Sequence, residues 1–205
     1  MIKKSLSLCF KGARNYMHGT DMVNQAYSAV METLAVAQVD AFRFVIHRMT
    51  GSRLALELRK GEGVSVAVAP VATMTFKAKG RPCLGVIVED EGRPDCRYPY
   101  DEDSIVKACV LDREARNIVL QEESPFTPIE TVVAMTKFLH LAVFPDAPGK
   151  WVFCRWESEH WPLSQKQAGL SVSLGQTLGT RLTRSEVCLD GEVLGQVFFS
   201  AKVNQ

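Results

Sequence analysis

The sequence lacks a charge imbalance, a long apolar run and a leader of secretory type, and each absence excludes a class of function. Its 205 residues carry 24 basic and 23 acidic side chains, a net charge of +1. This balance gives no global field for nucleic acid or an anionic membrane, and no basic run is interleaved with aromatic residues. No uninterrupted apolar stretch is long enough to cross a bilayer, and the apolar part after Met1-Ile2-Lys3-Lys4 is short. We therefore expect a cytoplasmic protein with no membrane span and no nucleic-acid partner.

Motifs for metals, cofactors and familiar nucleophiles are also missing. The six cysteines form no CxxC pair and no cluster with histidine; they are Cys9, Cys83, Cys96, Cys109, Cys154 and Cys188. Scattered single cysteines are typical of small buried side chains in a reducing compartment, so we expect no metal site and no disulfide framework. There is no serine elbow, phosphate-binding loop or dinucleotide fingerprint, so we also expect no cofactor.

What the first hundred residues do contain is one helical pattern followed by strand patterns. Ser5–Phe10 alternates polar and apolar side chains, which predicts a strand. From Thr20 or Asp21, both good N-caps, small and apolar residues recur at helical spacing as far as Ala37. Alternating segments separated by short glycine turns then predict an antiparallel meander. These predicted strands are 42–47, 54–58, 64–69, 73–78 and 84–88.

The boundary between two halves is the acidic, aperiodic stretch after residue 88, which contains Gly92, Pro94 and Pro99. We predict a first unit over residues 1–92, a linker over 93–103 and a second unit over 104–205.

The second unit opens with an ambiguous segment. Residues 104–121 fit either a short helix or a hairpin, and we favour a hairpin of 107–111 with 117–121. Thr127 as N-cap, Pro128 at the first helical position and Glu130 then predict a capping box and a second helix. An aromatic strand and further strand patterns follow that helix.

The two units look like copies of each other. Residues 15–27 and 123–133 each place a polar turn before a largely apolar helix, and the hairpin at 76–87 matches that at 187–197. Both segments predict a strand, a glycine turn, a Leu-Gly pair and a second strand. The turn in the first segment is predicted to have one extra residue. A repeat of about a hundred residues indicates a duplicated domain. The alternative is two unrelated α+β segments that share hairpin sequences.

This order of elements resembles the hotdog fold, in which an antiparallel sheet wraps around one long helix. Two such units in one chain resemble the double hotdog, so the expected fold class is α+β with two fused hotdog-like units. Hotdog proteins are mostly thioesterases and dehydratases that act on acyl groups carried by coenzyme A or acyl carrier protein. The resemblance therefore implies an acyl-CoA or acyl carrier protein thioester as partner, and it allows a homodimer of double-hotdog chains.

The resemblance also points to particular residues at the start of the first helix. In one thioesterase branch, a His followed by Asn and Tyr opens the helix, and His18-Gly19, Asn24 and Tyr27 are similar to that pattern. The spacing departs from it, and Asn15 stands near the place of the expected acid. The dehydratase signature, a His-Phe-Pro-Gly-His type run, is absent.

We take the start of the first helix as the candidate site. A carboxylate there can activate water or stabilise an imidazolium, and the helix-start N–H groups can polarise a thioester carbonyl. The structural alternative is that Thr20 and Asp21 cap the helix while His18 packs in the turn. The predicted catalytic residues are His18, Asp21 and Asn24, and the predicted substrate-binding residues are Tyr16, Gly19, Thr20 and Tyr27.

The sequence thus predicts an acyl-thioester hydrolase or a dehydratase, with Asp21 as general base or nucleophile and His18 as its partner. The alternative is a non-catalytic acyl-group or acyl-carrier binding protein, or an interaction module on the same fold. The second helix start has no His, which leaves acid–base residues only in the first copy.

Overall fold

The structure is a computed structural model that describes residues 2–60, 69–147, 149–161, 166–179 and 181–202. The chain divides into two compact units, one of Met1–Tyr100 with Ser158–Trp161 and one of Asp101–Glu157 with Pro162–Gln205. Each unit combines a sixteen-residue helix with antiparallel strands, which confirms the predicted α+β class. All but the last residue of the predicted strand at 64–69 lies outside the described residues.

The first unit builds an antiparallel sheet and one separate strand pair. Its elements are β1 (Ile2–Leu6), β2 (Phe10–Lys11), α1 (Gly19–Leu34), β3 (Val39–Ile46), β4 (Leu54–Lys60), β5 (Ala72–Ala78), β6 (Arg81–Glu89) and β7 (Arg97–Tyr98). The sheet order is β1-β4-β6-β5-β3, and β2 pairs with β7 in parallel. The single strand predicted over Ser5–Phe10 is wrong, because the Leu8 N–H donates back to the Leu6 carbonyl and turns the chain out of the sheet.

Helix α1 buries one face against this sheet, in contact with β1 and β4. Tyr27 packs edge-on against Phe42 of β3, with ring centroids 5.9 Å apart. The buried residues of α1 are Thr20, Met22, Val23, Ala26, Tyr27, Ala29 and Val30. The helix ends at Leu34 rather than at Ala37 as predicted, because Ala35 adopts the left-handed conformation with φ of 47°.

The second unit also combines helices with antiparallel strands. Its elements are α2 (Glu102–Lys107), β8 (Cys109–Asp112), β9 (Asn117–Leu120), α3 (Pro128–Val143), β10 (Lys150–Trp161, whose last four residues belong to the first unit), β11 (Leu170–Leu178), β12 (Leu182–Leu189) and β13 (Glu192–Lys202). The strand order is β10-β13-β12-β11-β9-β8. The predicted hairpin is confirmed as β8 and β9, and a short helix precedes it. The capping box at Thr127 and Glu130 is confirmed as well.

The two hairpins that matched in sequence also match in geometry. Lys79-Gly80 joins β5 to β6, and Asp190-Gly191 joins β12 to β13; all four residues have positive φ, as type I′ turns require. The extra residue predicted in the first turn is wrong, because both turns have two residues. The difference is a bulge in the second hairpin, where Val187 pairs with Gly195 while Cys188 pairs with Val193, so Leu194 is the unpaired residue.

The cysteines correct one expectation. Cys9 and Cys96 form a disulfide, so the expected absence of disulfides is wrong. The pairing of β2 with β7 brings together two cysteines that are 87 residues apart in sequence. Burial raises the pKa of the Cys109 and Cys154 thiols to about 11, which keeps both protonated and unreactive at neutral pH. In the part of the chain that the structure describes, no helix has the length and apolar character to span a membrane.

Candidate functional site

The first helix starts two or three residues earlier in the polar segment than the sequence predicts. His18 is the N-cap, with extended backbone, and its carbonyl accepts from the Met22 N–H at 3.1 Å. Asp21 is therefore the third helical residue, and the predicted N-cap at Thr20 or Asp21 is wrong. The physical reason is that both of these side chains bind other side chains. Neither supplies the backbone contact that defines a cap.

Lys11 is the partner that organises this segment. It stands at the end of β2, its side chain is 0% exposed, and its Nζ lies 3.0 Å from Asp21 Oδ1. The Asp21 side chain is itself only 12% exposed. Lys11 Nζ also donates to Thr20 Oγ1 at 3.3 Å. A buried ammonium is stable only beside an opposite charge and hydrogen-bond acceptors, so Lys11 fixes where the Asp21 carboxylate lies.

Two tyrosines near the end of the range Met1–Tyr100 complete the cluster. The Tyr98 hydroxyl, on β7, donates to Asp21 Oδ2 at 2.7 Å. Lys11 Nζ lies 4.2 Å from the centroid of the Tyr100 ring and 5.7 Å from that of Tyr98. Arg14 also approaches the Tyr100 ring, at 5.6 Å. Asp21 thus accepts a hydrogen bond on each oxygen, and the aromatic rings cover the ammonium that binds it.

His18 joins the cluster through Thr20. Its Nδ1 lies 2.7 Å from Thr20 Oγ1, and its ring lies 6.1 Å from that of Tyr100. The Thr20 hydroxyl also lies 3.4 Å from Asp21 Oδ1. The imidazole, the carboxylate and the ammonium therefore share one hydroxyl group. This arrangement can couple a proton transfer at the imidazole to the charge pair beneath it.

The other predicted site residues occupy different surroundings. Asn24 is half-buried one turn along the helix from Asp21, whereas Tyr27 is buried in the core, where burial raises the pKa of its hydroxyl to about 12. Tyr16 and Gly19 are half-buried beside the N-cap. The structure thus brings His18, Thr20 and Asp21 together by hydrogen bonds.

Sequence reasoning missed Lys11, Arg14, Tyr98 and Tyr100. Lys11 lies between the strand predicted over Ser5–Phe10 and the predicted helix, and the two tyrosines fall in the range predicted as a linker. In the structure that range contains β7, and its residues up to Tyr100 belong to the first unit. A signal was present in the run Tyr98-Pro99-Tyr100, because two aromatic residues are unusual in a solvated linker.

The cluster is suited to acid–base chemistry at an uncharged carbonyl group. The N–H groups of the first helical turn carry partial positive charge and can bind a developing oxyanion. Among the described residues, no three His, Cys, Asp or Glu side chains converge in a way that could hold a metal ion.

No family model matches the chain, and no curated protein sequence matches it either. Solved structures do. The dehydratase domain of PpsC from Mycobacterium tuberculosis, in complex with C12:1-CoA, is similar over 98% of this chain and 92% of that domain, with a TM-score of 0.52 at 13% identity. The pyran synthase domain from module nine of the sorangicin pathway is similar over 99% and 94%, with a TM-score of 0.50 at 14% identity. The predicted resemblance to the hotdog fold is therefore confirmed, and this chain is a hotdog-fold protein.

Proposed function

We propose that this protein acts on acyl thioesters at the start of α1, as a hydrolase. The observation that carries the proposal is the convergence of His18 and Asp21 on one hydroxyl group at a helix N-terminus, with a buried lysine fixing the carboxylate. Thioester hydrolysis needs a base for the attacking water and donors for the oxyanion, and this site offers both kinds of group.

The roles of the two residues differ from those inferred from the sequence. Each Asp21 oxygen already accepts a hydrogen bond, from Lys11 or from Tyr98, so a water bound to Asp21 would share an oxygen with one of them. We therefore assign proton transfer to the His18 imidazole. Asp21 is a positioning residue that places the negative charge below Thr20 and His18. The first-turn N–H groups of α1 would bind the thioester carbonyl oxygen as negative charge develops on it.

Dehydration of a 3-hydroxyacyl thioester is the second candidate function. It is favoured by the two solved structures described above, which are a dehydratase domain and a pyran synthase domain. In that reaction His18 would remove the proton next to the carbonyl, and the leaving hydroxyl would need an acid. Tyr98, whose hydroxyl donates to Asp21, is a donor of that kind in the same cluster.

The assembly around this site is also part of the proposal. We infer a double hotdog, because the likeness to both solved structures extends over nearly the whole chain and each unit has its own helix and sheet. A homodimer of such chains, an acyl-CoA or acyl carrier protein thioester as partner and a cytoplasmic location stay predictions. The disulfide weighs against an ordinary reducing compartment.

The test is turnover of a panel of acyl-CoA and acyl-pantetheine thioesters, including 3-hydroxyacyl and 2-enoyl forms, by the purified protein. His18→Ala should lower turnover by about 100-fold or more because it removes the base. His47→Ala is the matched control: this exposed histidine of the same unit bonds to Thr73 at 2.9 Å, away from the cluster, and the control should keep full turnover.

Free thiol release separates hydrolysis from dehydration, which changes only the acyl group. Turnover that survives His18→Ala would move the site elsewhere. A thioester that raises the melting temperature without being converted would favour the non-catalytic binding protein.

A further inference from the structure

The two partners of Asp21 come from two short strands that lie side by side. Lys11 is on β2 and Tyr98 is on β7, and the two strands pair in parallel. The Phe10 N–H donates to the Cys96 carbonyl at 3.0 Å, and the Gly12 N–H donates to the Tyr98 carbonyl at 2.9 Å. The strand pair therefore decides whether both side chains reach the carboxylate.

A disulfide joins the two chain segments immediately before this strand pair. Cys9 directly precedes β2 and Cys96 directly precedes β7, and the two are bonded to each other. Cys96 is exposed and Cys9 is half-buried, and both line an open groove of about 590 Å³ that also includes Arg53 and Asp95. Exposed disulfides are the ones that react with dithiols, because the attacking thiolate must reach a sulfur atom in line.

Without the disulfide, β7 is held by non-covalent contacts alone. Both residues of β7 are exposed. The non-covalent contacts of the segment include backbone bonds to β2, the Arg97 guanidinium, which donates to the carbonyls of Gly12 and Arg14, and the contacts of Tyr98 and Tyr100 with Asp21 and Lys11. Hydrogen bonds that are open to water contribute little net stability, and short exposed segments open locally. The disulfide is thus the covalent tether of the segment that carries Tyr98 and Tyr100.

We propose that the Cys9–Cys96 disulfide is a redox-sensitive latch of the α1 site. A dithiol reductant, small or protein-borne, breaks the S–S bond; each sulfur gains one electron and one proton, and the reductant becomes a disulfide. Residues 96–100 then open, Tyr98 leaves Asp21, and Tyr100 leaves Lys11. The consequence for turnover rests on the proposed function, whereas the release of residues 96–100 does not.

Amide hydrogen exchange tests the release by itself. The oxidised protein and the protein reduced with dithiothreitol are compared, and peptides covering residues 96–101 should exchange at least about tenfold faster after reduction, while peptides from α1 and from the second unit keep their rates. Cys9→Ser should behave as the reduced protein and ignore dithiothreitol. Cys188→Ser, which removes a free half-buried cysteine of the second unit, should respond as the parent does.

Two outcomes overturn the latch. Equal exchange in the two states would mean that the non-covalent contacts suffice. Faster exchange throughout the first unit would mean that the disulfide holds the whole unit together instead of one segment.

Thioester turnover provides a second test of the latch. Reduction should lower the turnover of the parent, and Tyr98→Phe with the disulfide intact should lower it severalfold. Reduction should then lower the turnover of Tyr98→Phe by a smaller factor than it lowers that of the parent, because the same contact is already lost. Full additivity would contradict the latch. If the oxidised parent converts no thioester at all, the proposed function fails, while the exchange experiment still decides the latch.

Discussion

The starts of α1 and α3 place an acidic residue at the same helical position and use it differently. Glu130 is the third residue of α3, and its carboxylate accepts from the Thr127 N–H at 2.8 Å and from the Thr127 hydroxyl at 2.5 Å. Asp21 is the third residue of α1, and its partners are Lys11 and Tyr98, which lie 10 and 77 residues away in sequence. Glu130 accepts hydrogen bonds from the N-cap residue of its own helix, whereas Asp21 binds side chains that are distant in sequence.

The surroundings of α3 are satisfied in the same local way. Gln167 donates to the carbonyls of Ser124 and Phe126, and Glu123 accepts from the N–H groups of Gln167 and Ala168. These polar groups complete the backbone of a turn, so their presence needs no catalytic explanation. At α1 the polar groups bind each other, around a buried charge that costs desolvation energy. A capping box would stabilise the helix start without the desolvation energy of a buried charge pair. For this reason the first helix start is the candidate site.

The largest expected effect is on the stability of the protein, which should depend more on Asp21 than on Glu130. Asp21→Asn leaves the Lys11 ammonium buried without a counter-charge and should lower the free energy of unfolding by about 3–5 kcal/mol. Urea denaturation measures it, with Lys11→Met/Asp21→Asn as the control that removes the charge as well. The double variant should be more stable than the single Asp21→Asn. A loss below about 1 kcal/mol would mean that water reaches Lys11 and that the pair resembles a surface ion pair.

The next effect contrasts the histidine of α3 with that of α1. His140 is fully buried; its Nδ1–H donates to the Thr136 carbonyl at 2.6 Å and its Nε2 accepts from the Thr183 hydroxyl at 2.5 Å. Burial lowers the pKa of His140 from 6.5 to about 4. The unfolded chain therefore binds a proton below pH 6.5 that the folded chain refuses until about pH 4.

The contribution of neutral His140 to the free energy of unfolding is fully present above pH 6.5. It falls by about 3 kcal/mol in total as the pH drops towards 4. Denaturation curves of the parent and of His140→Gln across this range check it, because carboxyl groups titrate alike in both proteins. Parallel curves would mean that His140 is protonated in the folded state. Turnover by His140→Gln should stay that of the parent wherever the variant is folded.

The smallest effect tests the structural side of the comparison. Glu130→Ala removes the capping box and should cost about 1 kcal/mol of unfolding free energy, with no change in thioester turnover. Thermal unfolding and the turnover assay are run on the same preparation. Lost turnover in a folded Glu130→Ala protein would show that the second helix start also takes part in the reaction, and the contrast between the two helix starts would fail.

Several features could be predicted because their causes lie within a few residues. The capping box needs only Thr127, Pro128 and Glu130 in succession. The turns at Lys79-Gly80 and Asp190-Gly191 follow from glycine's access to positive φ, and the alternation in β4 follows from the period of a strand. The N-cap of α1 was misplaced for the opposite reason: the side chains of Thr20 and Asp21 were assigned to the local backbone, and Lys11 competes for both.

By itself the sequence determined the α+β class, the two helices, most of the strands and the presence of His18 and Asp21 near one helix start. These follow from periodicity and from local hydrogen bonding, which act over one or two turns of chain. Only the tertiary structure decided that Cys9 meets Cys96 and that Tyr98 meets Asp21. Those contacts depend on how β2 and β7 pair, and the register of two-residue strands separated by more than eighty residues leaves no periodic signal in the sequence.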